Sequence, residues 1–335
     1  MKAKTISIME VCGTHTMSLA KHGIRSLLPS NIKMISGPGC PVCVTDAGDI
    51  DASIELANKP NVIVATFGDM LKVPSSKGDS LLKHKNVKIC YSPLEALELA
   101  QSEPHKEIVF LGIGFETTVP LIAATLDEAM RKGIKNFSVL PMHKTVPIAL
   151  KAIFADPEVK VDALLLPGHV SAITGIQYWD FLYEMKVPGV IAGFEAPDLF
   201  SSITKLVELK EKNVMKVINN YPSVVTQEGN RHAWALLEKY FEPCDAKWRE
   251  IGMIPGSGLD LKKEYQSYSA KVRFNLEIKD VPATKGCLCG RIMMGKNAPV
   301  DCPHFGKSCT PANPVGPCMV SSEGSCAASY KYERK

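Results

Sequence analysis

The sequence predicts an α/β protein made of two similar parallel-sheet domains and a Cys-rich C-terminal domain. Three observations carry that expectation. From residue 4 to about 215, short apolar runs alternate with amphipathic helical stretches, the signature of parallel α/β sheets. The runs are rich in Val, Ile and Leu without clean alternation, as expected of strands buried on both faces. Finally, six of the eleven cysteines lie between residues 287 and 326, in a Gly- and Pro-rich tail with little apolar periodicity. Such a segment needs a metal cofactor to fold.

Strand signals fall at 5–11, 32–36, 61–67, 87–91, 107–113, 136–141, 161–166 and 188–193, each bounded by Gly, Pro or Asn. Helical stretches fall between them at 17–27, 47–58, 93–101, 118–132, 145–155 and 197–212. The polar, Pro-containing joint Gln101-Ser102-Glu103-Pro104-His105 suggests two four-stranded units divided near residue 104. The expected domains are therefore 1–104, 105–215 and 216–335. In the last, helical stretches around 230–241 and 259–266 precede the tail, which begins at 282.

Bulk properties narrow the function. At 335 residues the chain exceeds one ordinary core. A net charge of +4, with no block of five basic residues, gives nucleic-acid binding no support. No apolar run approaches the ~20 residues that span a bilayer, and Glu10 interrupts the apolar start before a signal core forms. The expected location is the cytoplasm. In a reducing compartment, clustered thiols point to metal or redox chemistry rather than structural disulfides.

Every unusual motif follows a strand signal, where loops beyond the carboxyl ends of parallel strands gather chemistry. Cys12-Gly13-Thr14-His15 offers a nucleophile–base pair or a ligand pair, or a strand-end cysteine with His15 capping the next helix. Cys40-Pro41-Val42-Cys43 reads as a redox dithiol, half of a zinc site or a chance buried pair; the Gly37-Pro38-Gly39 lead-in argues against the last by setting both sulfurs on a kinked, exposed loop. No second C-x-x-C exists to complete a zinc site. Gly112-Ile113-Gly114 lacks the third Gly of a dinucleotide fingerprint, Thr117 standing in its place. A tight loop that aims Glu116 is the better reading. His169 and Glu195 sit at two further strand ends, where each is either an ordinary loop residue or part of a shared site. Cys90 reads as core, and Cys244 receives no role.

The tail thiols are Cys287, Cys289, Cys302, Cys309, Cys318 and Cys326. Their spacing fits neither paired zinc knuckles nor the bacterial ferredoxin run. A [4Fe–4S] cluster takes four thiolates at irregular spacing, so the tail is read as an iron–sulfur domain, with zinc as the alternative. Cys302, Cys309 and Cys326 are well separated and are the expected ligands, with Cys287 or Cys289 as the fourth. Cys318 is a possible spare.

Together these motifs, with Gly114-Phe115-Glu116-Thr117-Thr118, Pro167-Gly168-His169-Val170-Ser171, Gly193-Phe194-Glu195-Ala196-Pro197-Asp198 and the segment from Pro314 to Cys326, resemble the HypD family of hydrogenase formation proteins. The elements run in order over essentially the whole chain; Ala196 stands where Pro is expected. The resemblance implies a scaffold on which the Fe(CN)2CO unit of [NiFe]-hydrogenase is assembled with the chaperone HypC, HypE and HypF supplying cyanide. It implies two similar α/β domains, a third with a [4Fe–4S] cluster, and a cleft where the cysteine motifs meet. Cys12 would bind iron, with His15 tuning or deprotonating the thiol. Cys40 and Cys43 would be further ligands or an electron-delivering dithiol, and Glu116, His169 and Glu195 would serve the cyanide ligands. Two other classes stay open: a stand-alone thiol–disulfide oxidoreductase, and a nucleotide-binding enzyme with a structural zinc tail.

Overall fold

The computed structural model describes residues 5–282 and 284–334. Its strands are β1 (Ile6–Glu10), β2 (Ile32–Ser36), β3 (Val62–Thr66), β4 (Val87–Ile89), β5 (Glu107–Gly112) and β6 (Phe137–Pro141). After them come β7 (His143–Lys144), β8 (Ala163–Pro167), β9 (Gly189–Ala192), β10 (Val217–Asn219), β11 (Phe241–Trp248) and β12 (Gly252–Leu261). All eight strand signals correspond to strands. Their apolar runs are buried: every residue of β6 and β8 is inaccessible or nearly so, because helices cover both faces.

Two parallel sheets result, ordered β10-β9-β8-β1-β2 and β4-β3-β5-β6. The expected break near residue 104 does not separate them. β3 pairs with β5 across that point, while β1 and β2 share a sheet with β8, β9 and β10. The chain therefore leaves the first sheet after β2, builds the second, and returns. Pro104 sits in a turn that follows the helix Pro93–Ser102, closed by Lys106 N–H donating to Glu103 O. It punctuates a strand–helix–strand unit, which looks the same from sequence whichever sheet the strands join.

A third, antiparallel sheet is formed by β11, β12 and the short β7. The helix expected over 259–266 is instead the end of β12 followed by a 3-10 turn, Lys263–Tyr268. Pairing of Leu259 and Leu261 with β11 overrides the local pattern.

Side-chain oxygen atoms cap three of the helices. Asp46 accepts from Gly48 N–H (2.9 Å), Ser92 from Leu94 N–H (3.2 Å) and Asn230 from Ala233 N–H (3.0 Å). The tail ends in the helix Ser325–Tyr332, which packs on the helix Gly13–Lys21. Arg25 ties the two regions together, pairing with buried Glu10 at the end of β1 and with Glu333 at 2.8 Å. Among the described residues no helix is long and apolar enough to cross a membrane.

Candidate functional site

β1 delivers Cys12 to the carboxyl edge of its sheet, where its extended backbone makes it the N-cap of the helix Gly13–Lys21. The loop after β2 lies directly against it. Gly13 N–H donates to Gly39 O at 3.0 Å, and a Cβ on Gly39 would come within 2.5 Å of the Cys12 backbone. Only glycine permits that approach. Next to it, Cys40 caps the short helix Pro41–Val44, its Sγ accepting from Cys43 N–H at 3.1 Å. The two sulfurs are joined as a disulfide.

The exposed loop expected for Cys40 and Cys43 is not found. They are 5% and 0% exposed, because the C-terminal tail covers them. Pro317 O lies 4.0 Å from Cys43 Sγ, and the next residue is Cys318.

The same tail supplies Glu323, which the sequence reading did not select. Its Oε1 accepts from the Thr14 hydroxyl at 2.5 Å, across 309 positions of chain. Glu323 lies in the segment from Pro314 to Cys326, but nothing local connects it to Cys12; only the fold does. The backbone N–H groups of Thr14 and His15 and the Thr14 hydroxyl favour a Cys12 thiolate. Burial and the Glu323 charge outweigh them, and the thiol is pushed up to about 11. Cys12 is therefore a neutral thiol at pH 7. A cation arriving between Cys12 and Glu323 would reverse that balance.

His15 is buried in the helix that Cys12 caps. Its Nε2–H donates to Gly193 O at 3.0 Å, with Ala192 O at 3.3 Å, and burial lowers its pKa to about 4. Nδ1 has no partner among the described residues. Phe194 packs against both His15 (ring centroids 4.9 Å) and exposed His169 (3.9 Å), so these two candidates form one cluster.

Glu116 and Glu195 do not join it. Glu116 is fully buried, its Oε1 accepting from Val146 N–H (2.8 Å) and the Tyr178 hydroxyl (2.6 Å) beside a separate cavity. Glu195 is exposed at the N-cap of the helix Ala196–Glu211 and makes no capping bond. Cys90 is a buried core residue, and Cys244 sits half-buried beside the bulge of β11.

The six tail thiols gather in one region. Cys287 lies against Cys289, and Cys289 against Cys318. Burial and then the neighbouring Cys289, Cys287, Cys309 and Cys302 drive the Cys326 thiol upward. Val315 N–H donates to Cys309 Sγ at 3.3 Å. Five of the six are buried, Cys287 is half-buried, and all six are free thiols. An all-sulfur donor set in a dry environment suits soft metals such as zinc or an iron–sulfur cluster. A single ion needs its donors ~2.3 Å from one point, and among the described residues no three His, Cys, Asp or Glu side chains meet that way. A cluster, which places iron and sulfide between its ligands, fits this wider spread of thiols.

The family model "Hydrogenase formation hypA family", HypD, matches residues 1–333. The chain is 45% identical to the hydrogenase expression/formation protein HupD of Azotobacter chroococcum, covering 99% of this chain and 91% of that protein. It is 44% identical to the hydrogenase maturation factor HypD of Azotobacter vinelandii, over 98% of this chain and 89% of that one. With the HypD of Escherichia coli it shares 41% identity over 99% and 90% of the two chains.

Proposed function

Since the chain belongs to the HypD family of hydrogenase formation proteins, we propose that it is a scaffold for maturation of [NiFe]-hydrogenase. On this reading it works in the cytoplasm with HypC to assemble and pass on the Fe(CN)2CO unit, with HypE, fed by HypF, delivering cyanide. One observation supports this most strongly. Three segments far apart in sequence converge on Cys12: its own helix, the Cys40–Cys43 loop through Gly39, and the tail through Glu323. Low-spin iron with cyanide and carbonyl ligands is a soft cargo that a thiolate suits.

The chain's own groups divide the work. Cys12 holds the cargo iron, and the N–H groups of Thr14 and His15 orient its sulfur. Glu323, held by the Thr14 hydroxyl and felt by Cys12 as a nearby charge, would take the thiol proton as the iron arrives. Neutral His15, fixed by Gly193 O, holds the Phe194–His169 wall. Cys302, Cys309 and Cys326, with Cys287 or Cys289, are the residues to hold a [4Fe–4S] cluster, which when bound supplies single electrons. The Cys40–Cys43 disulfide, covered by Pro317 next to Cys318, would take two such electrons and two protons to become the dithiol.

The experiment is infrared spectroscopy of protein purified anaerobically with HypC. Cys12→Ala should keep the fold and the tail's iron while losing every cyanide and carbonyl band. Full hydrogenase maturation in cells carrying Cys12→Ala would overturn the assignment. The bonded Cys40–Cys43 sulfurs favour one rival, a stand-alone thiol–disulfide oxidoreductase. On that reading the wild-type complex would show no such bands.

A further inference from the structure

A cavity of about 850 Å³ lies away from Cys12 at the seam between the two parallel sheets. Glu116, from the loop after β5, reaches it from one sheet, and Tyr178, beyond β8, from the other. The Tyr178 hydroxyl and Val146 N–H both donate to Glu116 Oε1. The other oxygen, Oε2, is buried and has no partner among the described residues. A buried polar atom left so is destabilising and calls for a ligand or a water. Burial also holds the Glu116 carboxyl above the usual carboxylate range.

The walls define what that ligand is. Tyr178 and Trp234 meet edge to face, with ring centroids 5.6 Å apart, and Phe241 adds a third aromatic. Glu238 fixes the indole by accepting from Trp234 Nε1–H at 2.8 Å, and Glu242 adds another carboxylate to the lining. Against these three acids the lining carries one base, Lys262. Aromatic faces with surplus carboxylates select an organic cation. A planar, weakly hydrated guanidinium suits aromatic walls better than a strongly hydrated ammonium.

We propose that this cavity receives a guanidinium group, which ion-pairs with Glu116 Oε2 and packs against Trp234 and Tyr178. The group comes from a small molecule or from an arginine side chain of a peptide. Because Glu116 and Tyr178 belong to different sheets, the bound group bridges the seam between them. The proposal is independent of the iron-carrying role, and its test reads binding alone.

Calorimetry on the full chain would use two probes, agmatine and acetyl-Gly-Arg-Gly-amide, with the neutral citrulline analogue of the peptide as control. At least one guanidinium probe should bind saturably, while the citrulline peptide does not. Binding of both probes identifies the guanidinium alone as the recognised group; binding of only the peptide identifies a polypeptide source. Glu116→Gln keeps an oxygen for Tyr178 and Val146 and should weaken binding about tenfold or more. Glu238→Gln, at an exposed position that leaves the fold untouched, should weaken it several-fold. Failure of both probes, equal affinity for citrulline, or unchanged affinity in both variants would overturn the proposal.

Discussion

At the scale of single residues, two kinds of position were unequally legible. Cys12, His15, Cys40, Cys43 and His169 stand out as reactive types at strand ends, and the fold sets them in two adjoining clusters. Glu323 did not, because a carboxylate in a loop has no local mark of its distant partner. Gly39 was visible as part of a motif, but its reason appears only in the packing: a Cβ there would sit 2.4 Å from Val11 O. Gly39→Ala should therefore cost about 3 kcal/mol of stability, at the upper end for overpacking, measured by urea unfolding. Acid stability is a second test. Buried His143 has its pKa lowered from 6.5 to about 3, chiefly by burial and then by Lys144 and Lys271. Between those pH values the unfolded chain binds the extra proton, so stability is lost as pH falls below 6.5. At pH 5 this amounts to about 2 kcal/mol, and His143→Gln should flatten the acid limb by that much. Glu10 acts with the opposite sign. Burial, opposed by Arg25, raises its pKa from 4.5 to about 7, so its contribution is greatest below 4.5 and is lost as pH rises towards 7. Glu10→Gln should steepen the acid limb that His143→Gln flattens.

Elements were more legible than their pairing. The eight apolar runs of the parallel sheets announce themselves because strands buried on both faces need continuous Val, Ile and Leu. The β11–β12 hairpin does not: β11 carries Pro243 and exposed Glu242 and Asp245, and β12 contains Pro255 followed by Gly256 and Gly258. Proline and glycine inside a run argue against a strand, and a bulge between Cys244 and Ala246 breaks the register. The helix Pro41–Val44 is an element of one turn that exists through its cap. Its N-cap atom is a sulfur, Cys40 Sγ, and that sulfur is bonded to Cys43 in the same turn. Losing either thiol removes the pair, whether it serves as ligands or as a dithiol. Cys40→Ser and Cys43→Ser should each abolish hydrogenase maturation, assayed as hydrogenase activity in complemented cells. A serine at 40 keeps an oxygen cap, so the Cys40→Ser fold should survive. Normal maturation in either variant would show that one thiol acts alone.

In the whole molecule the tail lies as a lid over the Cys40–Cys43 pair and the start of the Cys12 helix. It buries Ile292, Met293 and Met319 in the core and brings Glu323 to the helix that Cys12 starts, Pro317 to Cys43 and Glu333 to Arg25. If a cluster on Cys302, Cys309 and Cys326 supplies much of the tail's folding energy, then metal loss has a consequence at a site containing none of those residues. Substituting any of the three with Ser should lower iron and sulfide per chain, whereas Cys287→Ser or Cys289→Ser alone should do less. As the tail loosens, Cys12 loses both the burial and the Glu323 charge that hold its thiol at about 11. The helix N–H groups that favour the thiolate belong to residues 14 and 15 and remain. The Cys12 pKa should then fall, and each unit of fall gives about ten times more thiolate at pH 7. Alkylation of Cys12 by iodoacetamide, followed by mass spectrometry, should accelerate about tenfold or more in the cluster-free variants. An unchanged Cys12 rate in a variant that has lost its iron would show that the tail folds, and covers Cys12, without the cluster.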